Sequence, residues 1–403
     1  MNEQQLREAL RDAVPEDERA RRRAWQVVQA SYAEREPSRR RRPRRRLVAL
    51  AVAAALVPVA AAGGAAASAP HSAVGQWVRG VLGVGERDVR RALVAVPGGG
   101  RLLVQGEAGT WVVSADGAKR RLGDYTGAAW SPRGLFVVAW RGGELTALDP
   151  GGKVRWSLAR PEPIALARWA PVNGYRIAYL AGGGLRVVNG DGTADRRLAA
   201  AARRSVAPAW RPDDAHVLAY ADARERIDVV AADSRERLWR SARLPGLAQL
   251  SWSADGRLLL AATRRGLVLF DAAGRRMFTR PMPAGSVLQE VAWAPRRSQV
   301  AVVRRVVAAG RSEVLLLDPQ RGLRGRVLFT GPGRFGAPAW SPDGARLLIG
   351  WPEADQWLFL RARGRGRLTA VANIARQFGP GDATPAFPRS VRWCCARAPR
   401  STP

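Results

Sequence analysis

The 403-residue chain holds only two cysteines, two histidines and two lysines. Cys394 and Cys395 are neighbours, so no disulfide framework staples the fold. His71 and His216 are too few for a zinc finger or a His-rich catalytic metal centre. Lys119 and Lys153 are the sole lysines, which makes 64 of the 66 basic residues arginine. Uncharged apolar runs are scarce too: one stretch, residues 47–69, extends for 23 residues. What the chain has in ordinary amount is hydrophobic residues, 47%, which excludes wholesale disorder.

The formal net charge is +32. Residues 1–46 carry 14 arginines against 8 acids, and residues 70–403 carry 52 basic against 26 acidic side chains. In that long part the arginines are scattered over turns and strand ends. Such scatter reads as a compositional preference for arginine, not as a nucleic-acid footprint, and no nucleic-acid partner is expected.

Residues 47–69, LVALAVAAALVPVAAAGGAAASA, are long enough to span a bilayer, which takes roughly 20 residues. Pro58 sits inside the run, where lipid-spanning helices tolerate proline. Arg39, Arg40, Arg41, Arg42, Arg44, Arg45 and Arg46 abut one end, so positive charge orients the N-terminus toward the cytoplasm. A cleaved signal peptide is the competing reading, since Ala65-Ala66-Ala67 and Ala67-Ser68-Ala69 fit small-residue cleavage patterns. The 46 residues ahead of the apolar core and Pro70 after it favour a retained anchor. Upstream, Pro15 with Glu16, Asp17 and Glu18 opens a helix, and Trp25, Val28 and Tyr32 share one face. Such a tail can dock on a cytoplasmic partner, lie on the anionic inner leaflet, or remain weakly ordered.

The remainder is one unit repeated. Trp130-Ser131-Pro132-Arg133-Gly134 returns as Trp169-Ala170-Pro171, Trp210-Arg211-Pro212, Trp252-Ser253-Ala254-Asp255-Gly256, Trp293-Ala294-Pro295 and Trp340-Ser341-Pro342-Asp343-Gly344. The steps between tryptophans are 39, 41, 42, 41 and 47 residues. A second half-motif follows each, an apolar strand ending in a turn, as in Leu145–Asp149, Leu267–Asp271 and Val314–Asp318. An earlier unit, Val96-Pro97-Gly98-Gly99-Gly100 followed by Arg101–Val104, has the turn and strand but no tryptophan. That makes seven units between about residues 92 and 367. The chemistry within each unit is that of a four-stranded antiparallel sheet: a strand reaching Trp, a Pro-Asp-Gly turn, and two short strands joined by a Gly-rich hairpin. An Asp-x-x-Gly turn then leads to the fourth strand. One such sheet cannot bury both faces, whereas seven stacked around an axis can. The long step is assigned to Arg304–Ser312, read as a hairpin loop outside the sheet.

The expected architecture is therefore all-β: a seven-bladed β-propeller at residues 92–396. It follows a cytoplasmic basic helical tail (1–46), a transmembrane helix (47–69) and a juxtamembrane linker (70–91), with a C-terminal tail at 397–403. The repeat tryptophans are expected to pack between blades and not to form a base-stacking stripe. The aspartate of Ser-Pro-Asp-Gly is expected to bond its own turn, and to be missing where Arg133, Val172, Ala254 or Arg296 intrudes. Ser390–Cys395 looks like one more Trp-bearing strand, able to pair with the first unit and close the ring, with Gln377–Pro388 a loop before it. The adjacent cysteines suit a vicinal disulfide, a pairing between chains, or plain burial in that strand.

Trp-Ser-Pro-Asp-Gly every ~40 residues resembles the WD40-like (PD40) propeller repeat of the TolB family and of prolyl oligopeptidases, over about 275 of 403 residues. The resemblance implies a protein-interaction platform or a gate for a separate catalytic domain. Within these 403 residues neither the peptidases' α/β-hydrolase domain nor the N-terminal domain of TolB is expected beside the repeats. More weakly, Ala147-Leu148-Asp149-Pro150-Gly151-Gly152-Lys153-Val154-Arg155-Trp156 is similar to the repeat of pyrroloquinoline-quinone-type propellers, and Ala232–Trp239 echoes it. Two copies imply no cofactor. Nor does the sequence hold a Gly-x-Ser-x-Gly elbow or a Walker A loop, and Gly331–Gly336 reads as a loop between blades. With His71 near the membrane and His216 alone in a strand, no His-based triad has its members.

The expected function is that of a single-pass membrane protein, non-catalytic and free of metal and cofactor. Its extracytoplasmic propeller binds a protein, peptide or envelope ligand on a rim or in the central channel, with occupancy relayed to the tail. The rivals are an envelope enzyme resembling a quinone-dependent dehydrogenase, and a secreted TolB-like propeller released by cleavage.

Overall fold

The computed structural model describes residues 89–90, 92–172, 175–213, 215–363, 368–379 and 386–395, all within the second of two compact units, Ser68–Pro403. The tail 1–46, the apolar segment 47–69, most of the linker 70–91 and residues 397–403 lie outside the described residues. No helix among the described residues is long and apolar enough to cross a membrane.

Strand β1 (Val89–Arg90) comes first, then seven sheets follow in chain order. Blade 1 holds β2 (Arg101–Gly106), β3 (Gly109–Val113) and β4 (Lys119–Gly123). Blade 2 is β5 (Gly127–Trp130), β6 (Val137–Arg141), β7 (Glu144–Leu148) and β8 (Val154–Ala159). Blade 3 is β9 (Ile164–Trp169), β10 (Arg176–Ala181), β11 (Gly184–Asn189) and β12 (Arg196–Ala199). Blade 4 is β13 (Ala209–Trp210), β14 (Val217–Ala221), β15 (Ile227–Ala231) and β16 (Arg237–Arg240). Blade 5 is β17 (Leu247–Trp252), β18 (Leu258–Thr263), β19 (Gly266–Asp271) and β20 (Arg276–Pro281). Blade 6 is β21 (Ser286–Trp293), β22 (Val300–Val306), β23 (Arg311–Asp318) and β24 (Arg324–Pro332). Blade 7 is β25 (Ala339–Trp340), β26 (Arg346–Trp351), β27 (Gln356–Arg361) and β28 (Thr369–Ala372). A single helical turn, α1 (Ile374–Gln377), precedes the last strand, β29 (Ser390–Cys394).

Burial along a blade follows from stacking. The second strands are covered on both faces by neighbouring blades, so they read as continuous apolar runs: Val137-Val138-Ala139-Trp140 and Val217–Ala221 are wholly buried. Fourth strands lie at the periphery and are mostly exposed, as in Arg276–Pro281. Seven apolar clusters result, each shared by two consecutive blades. One joins Leu348, Trp357 and Phe359 of blade 7 to Leu102, Val104 and Val113 of blade 1. Seven blades with seven interfaces make a closed β-propeller.

Closure is completed by β29, which pairs antiparallel with β2 from Arg101↔Cys394 to Gln105↔Ser390 and becomes the innermost strand of blade 1. Trp393 thereby supplies the tryptophan that the first unit lacks, and its indole donates to the Gly99 carbonyl at 2.8 Å. The two sulfurs of Cys394 and Cys395 are bonded to each other at the end of this strand.

Three boundaries differ from the sequence expectation. Arg304–Ser312 is no loop outside the sheet: β22 and β23 simply run longer and stay paired through Val306↔Arg311. Glu313 is buried there against Arg304, so the added length carries an ion pair of its own. Val89–Arg90, placed in the linker, pair in parallel with β28 as a fifth strand of blade 7. Gln377 ends α1 and is fixed there, its side chain accepting from Leu93 N and donating to Ala372 O.

The arginines are also less scattered than they look in sequence. Six of the seven fourth strands carry exposed basic side chains, among them Arg120 and Arg121, Arg155, Arg197, Arg237, Arg276 and Arg324. Charge on a free sheet edge opposes edge-to-edge pairing. Blade 7 is the exception: Thr369–Ala372 has no charge, and its edge is the one that β1 covers.

Candidate functional site in the central channel

Each innermost strand has a strand neighbour on one side only, so part of its backbone must find other partners. The repeat tryptophans provide them. Trp210 Nε1 donates to Arg168 O at 2.9 Å, Trp252 to Ala209 O at 3.1 Å, Trp293 to Ser251 O at 2.9 Å, and Trp340 to Ala292 O at 3.0 Å. In every case the acceptor is the residue just before the preceding blade's tryptophan. Trp169, Trp210, Trp252, Trp293 and Trp340 are buried, and Trp130 is half-buried with the Arg101 guanidinium over its ring. These indoles fasten blade to blade.

The turns after them are self-contained. Ser341 Oγ donates to Asp343 Oδ1 at 2.5 Å, Asp343 Oδ1 accepts from Ala345 N, and Ser341 Oγ accepts from Arg346 N. Gly344 takes the left-handed φ of 68° that ends the turn. Ser253 and Asp255 repeat the arrangement, with Ser253 Oγ donating to Asp255 Oδ1 at 2.6 Å. The expectation that Ala254 displaces the aspartate is thus corrected: Ala254 stands at the proline position and Asp255 makes the turn. Burial opposes ionisation of both carboxyls, yet these bonds hold Asp255 and Asp343 below their ordinary range, so they are committed turn anions.

Pro171, Pro212 and Pro295 border a cavity of about 670 Å³ on the inner strands. Pro132, Pro295 and Pro342 border a second of about 460 Å³, with Arg392 lining both. The structure therefore gathers the repeat prolines of five units around the channel, besides their part in turn geometry.

The larger of the two cavities also holds Arg168 on β9, Glu290 on β21 and Arg392 on β29. Sequence reasoning passed over all three. Bulges aim two of them: the register shifts between Ala178 and Leu180 opposite β9, where Leu166 adopts a left-handed φ of 54°, and between Leu288 and Glu290 on β21. Arg168 is half-buried, and burial first, then the like charge of Arg392, lower its pKa to about 9 despite Glu290. Burial raises the Glu290 carboxyl, while Arg392 and Arg168 pull the other way. Gln249 shares the cavity but is spent structurally, bonding both Val291 O at 2.8 Å and Val291 N at 3.0 Å across the blade 5–6 boundary. A signal for the arginines was available: the residue before the repeat tryptophan is Ala129, Ala209, Ser251, Ala292 or Ala339 in five blades, and Arg168 or Arg392 in the other two.

Other charged groups are absorbed by blade contacts. His216 precedes β14 and does not stand alone in a strand: its Nδ1 lies 2.7 Å from Asp233 Oδ2, and Asp233 also meets Arg176 and Arg196 of blade 3. Asp228, fully buried, meets Arg240 through two hydrogen bonds of 2.6 and 2.8 Å. Among the described residues no three His, Cys, Asp or Glu side chains gather as a metal site.

Neither a family model nor a curated protein matches the sequence. Solved structures do resemble it. The β-propeller domain of Cps50 (Swd1) from Myceliophteria thermophila aligns with TM-score 0.49 and 14% identity, covering 62% of this chain and 86% of that one. Hydrazine synthase from Kuenenia stuttgartiensis aligns with TM-score 0.47 and 18% identity, covering 58% and 75%. At such identities these are likenesses of fold, and the assignment of a seven-bladed propeller rests on the strand order and on the ring that β29 closes.

Proposed function

We propose that this chain is a membrane-anchored, non-catalytic propeller of the PD40 type that binds a protein, peptide or envelope ligand through its central channel on the extracytoplasmic side. The tail 1–46 would then face a cytoplasmic partner and report channel occupancy inward. The observation that carries the binding reading is the channel cavity of about 670 Å³, bordered by tryptophans and prolines and containing a few convergent polar groups. Ligand sites have cavities of roughly 300–1,000 Å³ in which polar groups converge between apolar walls. The arginine run before residues 47–69 supports the orientation.

The experiment is in-cell photo-crosslinking of the full-length protein, with p-benzoylphenylalanine at Ala248 in the channel or at Val154 on an outer strand, combined with protease protection in inverted vesicles. A discrete adduct at Ala248 alone, with the propeller protected inside the vesicles, is the expected result. Adducts at Val154 only, or a propeller digested on the outer face of those vesicles, would overturn the reading.

A further inference from the structure

The repeat offers an internal control for what the channel needs structurally. Five blades place a small residue immediately before their tryptophan, and blades 1 and 3 place arginine there. The fold thus does not require a guanidinium at this position. Both arginines line the same cavity as Glu290. Among the described residues neither has an ion-pair partner within 4.0 Å, whereas Arg176, Arg186, Arg196, Arg240 and Arg304 all do. Among the described residues the Arg168 side chain makes one hydrogen bond, from Nη1 to the Ala167 carbonyl at 2.8 Å. A guanidinium presents five donors in a planar fork that matches a carboxylate. Arg168 is half-buried and Arg392 exposed at the channel wall, and among the described residues most of their donors are unspent, so both forks are free to face an anion entering from the channel. Glu290 offsets one of their charges, which leaves room for a monoanion and disfavours a phosphate dianion.

We propose that the channel binds the carboxylate group of a ligand between Arg168 and Arg392. This deepens the channel-binding reading above and rests on it. The group belongs either to a small organic acid or to the free C-terminus of a peptide; recognition by the two arginines is the same. Charge-assisted hydrogen bonds to a guanidinium are about twice as strong as neutral ones, and its planar fork, already formed, loses little freedom per bond made.

The test is calorimetric titration of the full-length protein in detergent with four probes: tri-alanine with a free C-terminus, its C-terminal amide, hexanoate and inorganic phosphate. The free-acid peptide or hexanoate should bind at least tenfold more tightly than the amide and than phosphate; which of the two is tighter separates the peptide source from the free-acid source. Arg168→Gln and Arg392→Gln should each weaken that binding at least tenfold, and Arg168→Lys, which keeps charge but loses the fork, should fall between. Arg275→Gln, on an exposed pair at the periphery, should change nothing. Equal binding of acid and amide, no carboxylate binding at millimolar concentration, or unchanged affinity in both glutamine variants would each overturn the inference. The amide arm needs no variant, so misfolding cannot mask the answer. An Ala248 adduct in cells alongside silent carboxylate titrations would leave channel binding standing and remove this inference alone.

Discussion

The indole hydrogen bonds between blades can be weighed with a matched pair. Trp293 and Trp169 sit at equivalent places and are equally buried, at 9% exposure. Trp293 Nε1 donates to Ser251 O at 2.9 Å, while Trp169 Nε1 has no partner among the described residues. Replacing either with Phe shrinks the side chain by the same amount, so the packing loss is common to both. Only Trp293→Phe also strips a partner from a carbonyl in the blade interface. That added loss is about 1–2 kcal/mol, from the range for a buried polar group left unsatisfied. Urea unfolding of the full-length protein, followed by near-ultraviolet circular dichroism, should show the difference at constant m-value. In thermal melts it corresponds to roughly 2–6 °C for a domain of this size. Trp210→Phe, Trp252→Phe and Trp340→Phe should fall with Trp293→Phe. Equal costs for Trp169→Phe and Trp293→Phe would refute the claim that these bonds fasten the blades.

Other consequences follow from single contacts. A Cβ on Gly127 would lie 2.0 Å from the Trp140 ring, so Gly127→Val should cost about 3 kcal/mol or more through overpacking, read by the same urea midpoint. Glu313→Gln leaves the Arg304 guanidinium, only 16% exposed, without its counter-charge, and a loss of about 3 kcal/mol is expected in the same assay. Tyr220 is pushed up to about 12, by burial first and then by the Asp228 carboxylate. Its phenol stays neutral in the fold at pH values where the unfolded chain, near 10, has begun to ionise. The resulting stability is complete below about pH 10 and is lost as pH rises toward about 12. Tyr220→Phe should flatten the fall in unfolding free energy between about pH 10 and about pH 12, and an unchanged slope would contradict the assignment.

The propeller was legible because its repeat is physical punctuation. Tryptophan, proline and glycine recur at fixed offsets, each with a conformational or packing reason, and the missing tryptophan of the first unit pointed to Trp393. The extended hairpin of blade 6 was not legible, since Arg304, Arg305 and Arg311 look like solvent-facing loop residues until Glu313 is seen buried beneath them. Strand β1 escaped because two residues carry no periodicity, and a parallel edge contact leaves no turn signal beside it. The channel arginines were visible as letters but not as a site. Their meaning appears only when the units are aligned and one position is seen to be small in five blades and charged in two. Bulges that re-aim Arg168 and Glu290 cannot be read from hydropathy at all.

The ring closes where β29 pairs with β2 in one sheet, and a designed crosslink tests that pairing most directly. Gln105 and Ser390 are paired across β2 and β29, with the Ser390 hydroxyl 3.1 Å from Gln105 Oε1. In a background with Cys394→Ser and Cys395→Ser, the double substitution Gln105→Cys and Ser390→Cys should oxidise within the monomer. The product should migrate faster on a non-reducing gel and melt at higher temperature than its reduced form. Thr110→Cys with Ser390→Cys, one strand further out, should not crosslink. Failure of the first pair to oxidise while both thiols remain reactive, or equal crosslinking of both pairs, would contradict the closed ring.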